Sequence, residues 1–275
     1  IPQIVPKNEY REANGFSMAA FQMLSVFGPA LAGIFAVWLG AKQLFLVSAF
    51  MILLGITIIL TISANELQKG VVINKGNFKD GWNSVINGIQ SLFGNKILRF
   101  SLRMEFVAAI AGGLVLVNTV GLVKNSMGLD DSHYGLIMAL FGVGGAITAF
   151  LLGSLDRTKT RAKSLIGGAL LIGIAVCFAN FASFNGLLFL WVFAGVGQTL
   201  ADLPSETLIG ENITRNNQAK VYGAHFAFSH LWWFIAYPFA GFLGTTFPNY
   251  SFLYGGLITI SLTIIAIIVF KPQVK

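Results

Sequence analysis

The sequence of residues 221–270, VYGAHFAFSHLWWFIAYPFAGFLGTTFPNYSFLYGGLITISLTIIAIIVF, decides the fold class. These 50 residues contain no Asp, Glu, Lys or Arg, and the turn-forming cluster TTFPNY interrupts them at 245–250. A helix needs about 20 apolar residues to cross a bilayer. The stretch therefore predicts two membrane-spanning helices joined by a short turn.

Similar charge-free runs recur along the whole chain. Hydrophobic residues make up 55% of the sequence and charged residues 11%, and the mean hydropathy is +0.75. A soluble globule of 275 residues cannot bury so large an apolar fraction, because too much of its mass lies at the surface. We predict an all-α, polytopic membrane protein with eight spanning helices near residues 13–37, 41–63, 100–123, 134–155, 163–182, 186–204, 219–244 and 250–270.

The positive charges are distributed asymmetrically over the connecting loops. Sixteen of the 18 Lys and Arg residues fall on one set of alternating loops and chain ends, leaving Lys42 and Lys124 for the other side. Positive residues stay on the cytoplasmic side of spanning helices. Both ends of the chain and the segment 64–98 are therefore expected in the cytoplasm. That segment also predicts an amphipathic helix on the inner leaflet, because its apolar residues recur at helical spacing: Trp82, Val85, Ile86, Ile89, Leu92 and Phe93.

An internal repeat relates the start of the chain to its end. IPQIVPKNEYREANGF (1–16) leads into a helix with GPALAG (28–33), and LPSETLIGENITRNNQAKVYGAHF (203–226) leads into a helix with AYPFAG (236–241). The first two helices then correspond to the last two, and the four helices within 100–204 have no counterpart. We expect four further helices upstream of residue 1, giving two six-helix halves, an arrangement known among transporters.

Two short motifs carry a resemblance to a known family. Gly28, Pro29 and Gly33 fit the fifth-helix exporter signature G-x-x-x-G-P-x-x-G-G, which Leu24 and Ala32 depart from. LGSLDRTKTR (152–161) keeps Asp156, Arg157 and Arg161 of the cytoplasmic signature G-x-x-x-D-R-x-G-R-R, with Gly153 one place late and Lys159 replacing a glycine. Together with the topology and the repeat, these motifs resemble the major facilitator superfamily over essentially all 275 residues.

The resemblance is nearest to the bacterial drug and metal efflux branch. Within that branch, HFAFSHLWWFIAYP (225–238) resembles nickel-resistance-type permeases. It implies three parts: the last two helices of the N-terminal half (1–63), a cytoplasmic linker (64–98) and a complete six-helix C-terminal half (99–275). It also implies a multi-pass protein of the bacterial inner membrane, in which the two signatures and Pro238 shape the gating helices.

Polar residues within the spans are the candidates for substrate binding or ion coupling, because such groups are costly in a membrane. Gln198, Asp202 and Glu206 recur every four residues on one helical stripe near the cytoplasmic end. Two hypotheses remain open for this stripe. It forms a proton or cation relay, or its acids pair with nearby Arg or Lys and gate the cytoplasmic side.

Two polar residues stand out in the span 100–123. Glu105 lies near Arg99 and Arg103, and pairing with these arginines is the favoured interpretation. Asn118 lies deeper and could hydrogen-bond either a substrate or a neighbouring helix.

The two histidines of the opening stretch do not form a metal pair by themselves. His225 and His230 are five residues apart, so their side chains diverge by about 140° on a helix. A hydrogen bond to a facing helix is the favoured interpretation for each histidine. The alternative is that His230, with Trp233 and Tyr237 about one turn apart, contacts a central cavity and is a possible metal ligand. His225 is more readily explained as structural. Nickel, cobalt and zinc accept imidazole ligands.

Enzyme signatures are absent from the sequence. It contains no G-x-x-x-x-G-K-[ST], H-E-x-x-H or G-x-S-x-G motif and one cysteine, so we expect neither catalysis nor a cofactor. The expected function is secondary-active efflux of a small toxic solute, drug-like or a divalent metal, coupled to protons. The expected partners are this solute, protons, lipid and the upstream helices, with no nucleic acid. The alternative is a truncated membrane remnant or scaffold that does not transport.

Overall fold

The described part of the molecule is a bundle of long helices. The structure, a computed structural model, describes residues 41–61, 78–155 and 161–270 and the single positions Leu24, Phe35 and Leu39. All regular secondary structure in these residues is helical: α1 (Ala41–Leu60), α2 (Phe78–Gly94), α3 (Lys96–Gly121), α4 (Asp131–Leu155), α5 (Arg161–Phe178), α6 (Phe184–Asn212), α7 (Arg215–Thr246) and α8 (Ser251–Phe270).

Seven of these helices, all except α2, are long and apolar enough to cross a membrane. This confirms the predicted all-α, polytopic membrane protein. Apart from the single positions Leu24 and Phe35, the predicted helix at 13–37, and with it the first copy of the repeat, lies outside the described residues. One boundary prediction is wrong, since α6 runs to Asn212 instead of ending near 204. The helix continues through Pro204, which is buried in the bundle.

Helix α3 lies at the centre of the bundle and packs against α5, α6, α7 and α8. Helix α6 packs against both α4 and α5, and α8 packs against α3 and α5. Helices gain little from burying apolar side chains away from lipid, which is itself apolar, so close packing has to hold them together. The buried rings of Trp191 on α6 and Phe252 on α8 illustrate this, meeting edge to face with centroids 5.6 Å apart.

Glycines allow the backbones to approach closely. A Cβ atom on Gly195 of α6 would overlap the backbone oxygen of Phe141 on α4, and one on Gly144 of α4 would overlap that of Val192 on α6. A Cβ atom on Gly197 would come within 2.6 Å of the backbone nitrogen of Ile172 on α5. These contacts bring the backbone of α6 directly against both of its neighbours.

Helix α2 lies in the segment 64–98, where the amphipathic helix was predicted, and one of its faces packs against the bundle. Phe93 meets Phe228 of α7 edge to face, with ring centroids 4.9 Å apart, and Gly88 lies against the backbone of Lys220. Trp82 and Val85 remain exposed. One face of α2 therefore packs on the start of α7. Helix α1, by contrast, buries none of its span against the other described residues.

Candidate functional site

A polar cavity of about 140 Å³ lies where α3, α6 and α7 meet. Its walls carry three acids and one histidine as well as two tryptophans. The lining residues are Glu105 and Ala109 of α3, Asp202 and Glu206 of α6, and His225, Ser229, Trp232 and Trp233 of α7.

Three helices bring the ionisable residues to a common depth. Glu105 lies nine residues after Lys96, His225 ten after Arg215, and Asp202 ten before Asn212. At about 1.5 Å per residue, each is about 14–15 Å from the same end of the bundle. The cluster thus lies well inside the spanning region, on the side where the basic residues collect.

Glu105 and His225 form a buried pair between α3 and α7. Oε1 of Glu105 lies 2.7 Å from Nε2 of His225, and the two residues are 5% and 8% exposed. The predicted pairing of Glu105 with Arg99 or Arg103 is wrong. Arg103 instead places its guanidinium over the ring of Phe270, 3.6 Å from the ring centroid.

The second carboxylate oxygen of Glu105 takes no part in this pair. Oε2 of Glu105 is buried and has no hydrogen-bond partner among the residues that the structure describes. A buried carboxylate is costly unless a counter-charge and hydrogen bonds compensate it. The cavity wall therefore presents an acceptor that a proton or a cationic ligand can satisfy.

Two residues of the α6 stripe, Asp202 and Glu206, line the same cavity. Nε2 of Gln198 donates to Oδ2 of Asp202 at 2.7 Å, and Glu206 lies one turn nearer the helix end. Gly112 of α3 makes room for this arrangement, because a Cβ atom there would lie 2.5 Å from Oε1 of Gln198. Asp202 and Glu206 therefore line the same cavity as the Glu105–His225 pair. Whether they relay protons stays a prediction.

The structure separates the aromatic candidates of α7. Trp233 lines the cavity, and the ring of Tyr237 lies 5.4 Å from it. His230 lies outside the cavity wall, with Nδ1 2.8 Å from the backbone oxygen of Phe226 and its ring stacked on that residue. His225, favoured as structural by the sequence, is the histidine in the wall.

The side chain of Asn118 has a hydrogen-bond partner on a neighbouring helix. Nδ2 of Asn118 donates to the backbone oxygen of Ala240 at 3.0 Å, so this side chain connects α3 to α7.

The metal hypothesis finds no ligand set in the part of the chain that the structure describes. No three His, Cys, Asp or Glu side chains there come close enough together to hold a metal ion.

Of the predicted gating residues, two are described. Nη2 of Arg161, at the start of α5, lies 2.8 Å from Oε1 of Glu211 near the end of α6. Pro238 lies inside α7. The others, Gly28, Pro29, Gly33, Asp156 and Arg157, lie outside the described residues.

Two cavity residues of α7, Ser229 and Trp232, were not among the sequence candidates. They follow His225 at i+4 and i+7, and Trp233 follows at i+8, which is the spacing of a single helix face. A search for a polar and aromatic stripe that starts at His225 would have found them.

Comparison with known proteins gives consistent similarities. Residues 104–275 match the Major Facilitator Superfamily. The chain is 26% identical over 229 residues to the uncharacterized MFS-type transporter YfmI of Bacillus subtilis, covering 82% of this chain and 55% of that protein. It is 24% identical over 213 residues to the uncharacterized MFS-type transporter y4rN of Sinorhizobium fredii, covering 76% and 51%. The chain spans about half the length of the curated relatives it matches.

Proposed function

The chain belongs to the major facilitator superfamily of membrane transporters, and we propose that it couples proton movement to the export of a small solute. The observation that carries this proposal is the buried Glu105–His225 pair on the cavity wall. Export rather than uptake rests on the likeness of residues 24–33 to the signature of exporters.

Proton exchange follows from the chemistry of the pair. With one shared proton the pair carries no net charge, whether the form is glutamate with imidazolium or glutamic acid with imidazole. Loss of that proton leaves a net negative charge in an apolar surrounding, which is strongly unfavourable unless another cation enters. Histidine is the side chain whose unperturbed pKa lies in the physiological range, which suits it to proton coupling.

The rest of the bundle supports movement around this pair. Glycine contacts between α4 and α6 and between α5 and α6 give smooth helix surfaces that can shift against each other. The ion pair of Arg161 with Glu211 connects α5 to α6 at the end of the bundle that is nearer to the cavity. Opening of that end is where we place the cytoplasmic gate.

A non-transporting scaffold is the less favourable explanation. An apolar pair of similar size would hold α3 against α7 at least as well as buried Glu105 and His225, because desolvation of the ions offsets their attraction. A scaffold would therefore gain no stability from this buried pair. A proton-coupled transporter, by contrast, requires a titratable group inside the membrane.

The test uses inverted membrane vesicles that contain the protein as its native reading frame encodes it. After respiration establishes a pH gradient, drug-like compounds and Ni²⁺ are added one at a time, and a pH-sensitive dye reports solute-induced proton movement. We expect at least one solute to move protons with the wild-type protein and none to do so with Glu105→Gln. The matched control is Asp131→Asn, an exposed carboxylate at the opposite end of the bundle that pairs with Lys124.

Two results would contradict the proposal. One is wild-type proton flux in Glu105→Gln. The other is the absence of solute-induced proton movement across the whole series in wild-type vesicles.

A further inference from the structure

We propose that the cavity binds a small organic cation, a protonated amine on a flat apolar body, between the carboxylates of α3 and α6 and the two indoles of α7. This inference names a substrate class for the proposed transporter and so rests on the proposed function.

The carboxylates supply the charge complementarity. Glu105 is 5% exposed, lines the cavity and keeps Oε2 without a hydrogen-bond partner among the described residues. Asp202 and Glu206 line the same space, and none of the described lining residues is Lys or Arg. A protonated amine has N–H groups that can donate to the unsatisfied oxygen and a charge that the acids attract.

The indoles supply a surface for the apolar body. Trp233 is seated against Gly112, where a Cβ atom would lie 2.8 Å from its Cη2, and its ring contacts that of Tyr237. Trp232 is held by Phe106, with ring centroids 4.8 Å apart. Fixed indole faces attract cations through their negative π surface and accept flat rings by stacking.

The volume of the cavity sets the size of the ligand. An engineered protein cavity of about 150 Å³ accommodates one benzene molecule. The cavity here is about 140 Å³, which suits a ligand built on a single aromatic ring.

A divalent metal fits the cavity less well. Ni²⁺ and its neighbours prefer several imidazole, thiolate or carboxylate ligands in a defined geometry. Within the described ranges, no three such side chains come close enough together to hold one metal ion. The indoles would contribute nothing to a metal, whereas they account for the affinity of an organic cation.

Shared carboxylates also explain how the solute exchanges with protons. A carboxylate that has taken up a proton no longer attracts a cation, so the two compete for one site. Binding of the organic cation should therefore strengthen as the pH rises through the range in which the titratable residues of the cavity lose protons. These residues are Glu105, Asp202, Glu206 and His225.

The experiment measures equilibrium binding to the purified full-length protein with three probes: radiolabelled phenethylammonium, its neutral analogue 2-phenylethanol, and Ni²⁺. We expect phenethylammonium to bind more tightly than 2-phenylethanol and to be released on acidification. Trp233→Leu should weaken phenethylammonium binding by about 5- to 30-fold, the range that a desolvated cation–π contact of about 1–2 kcal/mol gives. Glu206→Gln, an exposed residue at the rim that the fold does not depend on, should also weaken it.

The control variant is Trp82→Leu, which removes an exposed tryptophan of α2 outside the cavity and should leave binding unchanged. Three results would each overturn the inference: no phenethylammonium binding at millimolar concentration, equal affinity for the neutral analogue, or equal effects of Trp233→Leu and Trp82→Leu. If Ni²⁺ or a neutral compound instead drives proton flux in vesicles, the inference fails and the proposed function stands. If phenethylammonium binds but no solute moves protons, the proposed function fails.

Discussion

The carboxylate of Asp130, just before α4, shows how a single exposed residue fixes a helix end. Its Oδ1 accepts hydrogen bonds from the hydroxyl and backbone N–H of Ser132 and from the backbone N–H of His133, at 2.6–3.1 Å. The ring Nδ1 of His133 lies 2.6 Å away. These contacts, led by the Ser132 hydroxyl and then the His133 ring, hold the pKa of Asp130 well below its usual range. The side chain therefore acts as an ionised cap for the first turn of α4.

This cap gives a pH-dependent prediction. Because the folded-state pKa is lowered, ionised Asp130 stabilises the fold above the unfolded pKa of about 3.9 and loses that contribution as the pH falls toward the folded value. Asp130→Asn keeps a capping oxygen but removes the charge, so it should lower the unfolding temperature slightly at pH 7. The difference from wild type should shrink below about pH 4. Thermal unfolding in detergent at a series of pH values measures both.

The matched control for this cap is Asp131→Asn, which removes the neighbouring charge but leaves the cap intact. A difference between Asp130→Asn and wild type that stays constant down to acidic pH would show that the charge plays no part.

At the scale of helices, close glycine contacts set the positions of α4, α5 and α6. Gly195→Ala should destabilise the bundle by about 1–3 kcal/mol, because the added methyl group meets backbone atoms that cannot move aside. Gly241→Ala on α7 is the matched control, since its Cβ atom would have no described neighbour within 4 Å. The control should be neutral or slightly stabilising through helix propensity. Unfolding temperatures in detergent test the pair, and equal losses would contradict the role of the α4–α6 contact.

The sequence predicted the helices better than their contacts. Uninterrupted apolar runs identify spanning segments because the bilayer demands internally satisfied backbone hydrogen bonds. The same runs do not show which faces meet, since lipid and neighbouring helices are equally apolar. The continuation of α6 past Pro204 and the docking of α2 on α7 depend on such tertiary contacts and were missed.

The candidate site was predicted in part for the same reason. Asp202 and Glu206 stood out as rare charges within an apolar span. The pairing of Glu105 with His225 joins residues 120 positions apart, and the nearby arginines offered a simpler partner. Counting residues from the basic ends of the spans places Glu105 and His225 at equal depth. That sequence signal could have found the pair.

At the scale of the whole molecule, most of the described basic residues lie at one end of the bundle. The α6–α7 connection and the starts of α3 and α5 lie at one end, whereas the α3–α4 and α7–α8 connections lie at the other. Arg99, Arg103, Lys163 and Lys220 belong to the first end, and Lys124 belongs to the second. From the positive-inside tendency we expect the first end to lie in the cytoplasm. The cavity, at about 14–15 Å from that end, would then be closer to the cytoplasm than to the outside.

Cysteine labelling tests this orientation directly. The buried Cys177 is the single cysteine of the chain, so Cys177→Ala gives a background without thiols. Into it, Thr214→Cys places an exposed thiol between α6 and α7, and Asn249→Cys places one between α7 and α8. A membrane-impermeant maleimide should label Asn249→Cys in intact cells and Thr214→Cys after the cells are opened, because the two positions lie at opposite ends of α7.

A third position makes the labelling experiment decisive. Asn125→Cys, in the connection between α3 and α4, should behave like Asn249→Cys, because two further antiparallel pairs of helices separate them. If Thr214→Cys alone reacts in intact cells, the bundle is inverted and the cavity lies toward the outside. The Glu105–His225 pair and the Arg161–Glu211 ion pair would then lie on the external side, and the cytoplasmic gate proposed at that end would have to be abandoned.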